Sequence, residues 1–186
     1  MGAAGAAGGT INGWLCFAGF PLPVREAPGF DWLVVPGGAL HGAILALLPV
    51  VAAVVVRRWS LRWRIILAPA VGWISGYLSW VPLNHLVLDE SLARSLDWPW
   101  TGGIGLVVAW RPFALFGLVG LFWYLVIATG GLRRRRWQLA ALVACAGTFG
   151  SLWFWTDWDQ WYLAVIHGTV WGVLVGWAAS RASLRA

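Results

Sequence analysis

The chain has 186 residues, 60% hydrophobic and only 11% charged, with a mean hydropathy of +0.74. Ordinary soluble domains carry about a quarter charged residues, so this composition excludes a water-soluble globular enzyme and implies an all-α, polytopic transmembrane helix bundle. The formal charge of +6 invites nucleic acid as a partner, but the placement of the charges excludes it. Ten arginines fall in three acid-free clusters: Arg57, Arg58, Arg62 and Arg64; Arg133 to Arg136; and Arg181 with Arg185. All seven acids, Glu26, Asp31, Asp89, Glu90, Asp97, Asp157 and Asp159, share the other connections with Arg25, Arg94 and Arg111. One set of connections therefore carries +10 and the other −4, which is the positive-inside asymmetry of a bacterial-type inner (plasma) membrane protein.

Residues 1–31 open on MGAAGAAGGTINGWLCFAGFPLPV, which is apolar but rich in glycine and alanine and lacks the positive start of a signal peptide. This segment reads as an outer interfacial or re-entrant piece, with a sixth span as the alternative. Residues 32–180 form the bundle and 181–186 a cytoplasmic tail. A hydrocarbon core of about 30 Å needs roughly 20 apolar residues in a helix. Five stretches qualify: Trp32 to Val56, Ile65 to Leu86, Pro112 to Leu132, Trp137 to Trp155 and Tyr162 to Ser180. Arginine clusters follow the first, third and fifth, so five spans put the N-terminus outside and the C-terminus in the cytoplasm. Pro49 predicts a bend within the first span, whereas Pro69 lies in a first turn where proline costs little. Pro112 is expected to start the third span, leaving Arg111 at the outer interface. If the helix begins instead at Ile104, Arg111 enters the bilayer.

Most of the 17 tryptophans read as headgroup anchors, with Trp32, Trp80, Trp98, Trp100, Trp153, Trp155, Trp158 and Trp161 outside and Trp59, Trp63 and Trp137 inside. Small residues recur every fourth position at Gly38, Gly42 and Ala46, at Ala68, Gly72 and Gly76, and at Ala164, Gly168, Gly172, Gly176 and Ser180. Such faces let helix backbones approach closely, within a compact bundle or between copies and other membrane subunits.

Candidate chemistry gathers around the histidines. His41 and His167 lie at similar depth on different helices, and the adjacent Gly42 and Gly168 leave room for a flat macrocycle, so the pair is a candidate ligand set for haem or a pigment. The ordinary alternative is a bond from each histidine to a carbonyl across a helix contact. His85 and Asp89, spaced i, i+4, form a candidate metal site with Glu90 and with Asp157 or Asp159 of another outer connection. Trp73, Trp123, His167 and Trp171, with His41, form a candidate small-solute site.

Nucleophilic serine catalysis lacks its motif, since GWISG places Trp73 where GxSG has its first glycine before Ser75. Cys16 and Cys145 make no CxxC, and no Walker motif is present. The expected function is that of an accessory or assembly subunit of a larger membrane complex, without catalysis of its own. A small-solute transporter or its membrane component is the second reading, and a b-type haem or pigment-binding subunit the third.

Overall fold

In the computed structural model, residues 1–18, 32–87, 105–130, 135–156 and 161–183 are described. They form α1 (Gly2–Phe17), α2 (Val34–Val55), α3 (Leu61–Ile66), α4 (Ala68–Val87), α5 (Gly105–Ala128), α6 (Arg136–Thr156) and α7 (Trp161–Ser183), with no strand among the described residues. Two of these helices, Val34–Val55 and the Trp161–Arg181 portion of α7, are long and apolar enough to cross a membrane.

Glycine decides which helix faces meet. A Cβ on Gly9 would run into the Gly38 carbonyl, one on Gly5 into that of Gly42, and one on Gly13 would lie 2.7 Å from the Val34 carbonyl. These contacts run in opposite senses along the two helices, so α1 lies antiparallel to α2 with its backbone against the Gly38 and Gly42 face. The same rule pairs α4 with α5, where a Cβ on Gly72 would sit 2.6 Å from the Gly117 carbonyl. On α7, Gly168, Gly172 and Gly176 abut the backbone of α6 at Gly147 and Thr148, at Ala144, and at Ala140. All three small-residue faces are thus used inside the chain.

Each long helix packs against the next, and α7 returns to α1, which closes a ring of antiparallel neighbours. Across that ring α2 also meets α5. One buried cluster is centred on Leu45, Trp123, Leu139, Val143, Trp171 and Val175, and a second, toward the arginine-bearing end, on Ala53, Val56, Ala68, Val71, Tyr124 and Ala128.

The structure adds to the sequence reading at three places. Residues 2–17, expected as an interfacial or re-entrant piece with a sixth span as the alternative, form the unbroken helix α1 lying along α2, because its glycines gain a close backbone contact that hydropathy does not register. The third expected span starts at Gly105 rather than Pro112, since the apolar run GLVVAW continues the helix upstream and the lost N–H of Pro112 costs one bond without ending it. The second expected span is divided at Leu67 into α3 and α4, with Pro69 in the first turn of α4, a position that needs no intrahelical N–H. α2, by contrast, runs unbroken through the buried Pro49.

Antiparallel packing around the ring places the start of α1, both ends of α3 and the end of α7 at one end of the bundle. Seven of the described arginines, Arg57, Arg58, Arg62, Arg64, Arg135, Arg136 and Arg181, belong to that end, whereas Arg111 lies in the first third of α5, toward the other. The seven acids lie outside the described residues.

Candidate functional site

Two consecutive turns of α2 receive side chains from across the ring. The indole Nε1 of Trp171 on α7 donates to the Gly42 carbonyl at 3.1 Å, and Nε1 of Trp123 on α5 donates to the Ala46 carbonyl at 3.1 Å. Trp123 is wholly buried and Trp171 is 5% exposed. A buried indole must find an acceptor, and here both use a helix backbone, so two of the expected solute-site tryptophans are committed to holding α5 and α7 onto α2. Trp73 lies elsewhere, 41% exposed on α4 and stacked on Tyr77 at 5.9 Å.

The two histidines of the candidate haem pair turn toward different helices. His41 Nδ1 lies 3.1 Å from the Ser79 carbonyl on α4. A carbonyl only accepts, so Nδ1 carries the proton in this bond. Ser79 is itself fixed by its hydroxyl, which donates to the Gly76 carbonyl at 3.0 Å. His167, on α7, faces α1: its Nε2 is 4.0 Å from Cys16 Sγ, and its backbone carbonyl accepts from Asn12 Nδ2 at 3.1 Å. Asn12 and Cys16 are spaced i, i+4 on α1 and so share one face. Asn12 Oδ1 is buried, and no protein group pairs with it.

A shared haem does not fit this arrangement. The space expected beside Gly42 is filled by the Gly5 backbone of α1, and that beside Gly168 by the Gly147 and Thr148 backbone of α6. What the α1–α7 joint does assemble is a thiol, an imidazole nitrogen and an amide oxygen, a set suited to hydrogen-bonding a small polar molecule. The metal candidate is not assembled by the described residues: His85 is in α4, Asp89, Glu90, Asp157 and Asp159 lie outside them, and no group of three His, Cys, Asp or Glu among them could hold a metal ion.

Sequence reasoning missed Asn12, Cys16 and Ser79 as histidine neighbours. The available signal was the spacing Gly5, Gly9, Gly13 in α1, which matches that of Gly38, Gly42 and Ala46 and would have docked α1 on α2 beside α7. No family model matches the chain, and no curated protein or solved structure matches it either.

Proposed function

We propose that the chain is a multi-pass integral membrane protein of a bacterial-type inner membrane, with six membrane-crossing helices and both α1 and α7 beginning or ending on the cytoplasmic side. In this reading it serves as an accessory or assembly subunit of a larger membrane complex, without catalysis of its own. The observation that carries it is the pair of indole bonds from Trp123 and Trp171 to successive turns of α2, combined with glycine contacts on either side. Interfaces locked backbone to backbone suit a fixed scaffold better than a carrier whose helices must slide to alternate access.

The membrane assignment draws support from an apolar outside: Leu47, Val51, Ile74, Phe149, Val165 and Val173 face outward, a surface that is stable where the surrounding solvent is hydrocarbon. Exposed tryptophans also flank the helix ends, with Trp14, Trp32 and Trp161 at one end and Trp59, Trp63 and Trp137 at the other. The small-residue faces being occupied within the chain, a partner subunit would dock on the outer aliphatic and aromatic surface.

Purification of the full chain in mild detergent, with a mass inventory of what accompanies it, tests this reading. Stoichiometric partner subunits support it. Saturable uptake of a solute by the chain alone in liposomes would replace it with the carrier reading, which the unpaired Asn12 Oδ1 beside Cys16 and His167 favours as a site.

A further inference from the structure

At the arginine-bearing end, one arginine is held in place by a ring. Arg136 opens α6, and its guanidinium carbon lies 5.9 Å from the centroid of the Trp177 ring on α7. The packing of the two helices brings them together, because Gly176 abuts Ala140 one turn into α6. A guanidinium over an aromatic face is attracted by the ring quadrupole through its flat side, so the N–H donors in its plane stay available to an acceptor. Both residues are open to the outside, Trp177 by 40%. Arg181 is exposed one turn beyond Trp177 on the same face of α7. No carboxylate among the described residues shares this end. In the other direction from Trp177, the exposed Val173, Thr169 and Val165 continue the same i, i+4 ridge of α7. At 1.5 Å per residue the ridge from Val165 to Trp177 is roughly 18 Å long, against about 15 Å for the hydrocarbon of one leaflet. A ridge that is mostly apolar over one leaflet and cationic at its end has the outline of a lipid with an anionic head.

We propose that Arg136, Trp177 and Arg181 form an open surface site for the phosphodiester headgroup of an anionic phospholipid, with an acyl chain lying along Val173 and Val165. Headgroup oxygens accept from the edge of the Arg136 fork, whose orientation the Trp177 ring fixes, and Arg181 adds a second positive charge one turn away. Arg57, Arg58 and Arg62 attract anionic lipid diffusely. A ring-held guanidinium adds direction to that attraction, and a bare charge does not. The site rests on the membrane-crossing reading above and is independent of partner subunits.

The experiment places the full chain in nanodiscs of phosphatidylcholine with increasing phosphatidylglycerol and counts the phosphatidylglycerol retained by native mass spectrometry. Arg136→Lys and Trp177→Leu leave the net charge unchanged, so diffuse attraction predicts no effect from either. The site predicts that each lowers retention by about threefold to tenfold. Arg58→Lys, the same exchange at an exposed arginine of the α2–α3 connection, is the matched control and is expected to retain lipid as the parent chain does. Arg136 is exposed, so Arg136→Lys is expected to melt with the parent in pure phosphatidylcholine and to gain less stability on addition of phosphatidylglycerol. Parent-like retention in Arg136→Lys would overturn the proposal, as would an equal loss in Arg58→Lys. A chain that enters nanodiscs yet retains phosphatidylglycerol no better than phosphatidylcholine refutes the site and spares the membrane reading; a chain that does not enter them refutes both.

Discussion

Trp123 and Trp73 show how one residue type takes opposite roles in this chain. Trp123 fills the junction of α2 and α5 and donates to Ala46, whereas Trp73 lies on the outside of α4 against Tyr77. Trp123→Phe removes a buried bond and leaves a carbonyl and a cavity behind, at a cost of about 2–4 kcal/mol; Trp73→Phe is expected to cost less than about 1 kcal/mol. Thermal melts of the two variants in one detergent compare them directly. The histidines give a second expectation at this scale. His41 turns to Ser79 on α4 and His167 to Cys16 on α1, so protein expressed with ample haem should purify without a Soret band. A band that disappears in His41→Ala or His167→Ala would refute that expectation. The sequence puts the two histidines at a similar expected depth, but depth says nothing of the direction a ring faces, and that direction depends on which helix lies alongside.

Among the helices, legibility followed hydropathy. α2, α6 and α7 begin and end within a few residues of the expected spans, because long apolar runs bounded by arginine and tryptophan carry their own ends. α1 was legible only as the alternative sixth span because its glycines dilute hydropathy while making close backbone contacts with α2, and the α1–α7 site was hidden with it. α5 begins at Gly105, next to the alternative start at Ile104 rather than at Pro112, because proline is tolerated inside this apolar run. Glycine contact has a measurable consequence. Gly9→Ala drives a methyl into the Gly38 carbonyl, so α1 must move off α2, at a cost of about 3 kcal/mol. Gly130→Ala, at a residue with φ 78° and nothing within 4 Å, costs only the strain of a left-handed conformation, about 1 kcal/mol. Melting temperatures should fall in that order, and accessibility of Cys16 to a small maleimide should rise in Gly9→Ala alone.

For the whole molecule, the ring arrangement makes sidedness a single decision. Six antiparallel long helices put the start of α1 and the end of α7 at the arginine end, so reporter domains fused ahead of Met1 and after Ala186 should both be active only in their cytoplasmic form. A periplasmic signal from the N-terminal fusion would refute the proposed six-span arrangement and favour five spans with α1 at the outer surface. Ring closure also imposes an order on synthesis. The face of α1 that carries Gly8 and Asn12 finds Trp171 and His167 only after α7 exists. At translation rates of roughly 5–20 residues per second, some 7–30 seconds separate the emergence of the two helices. During that interval α1 is held by α2 alone, with the Asn12 amide still without its carbonyl partner, so a chain stopped short of α7 presents the cell with an unfinished seam that its quality-control proteases can recognise.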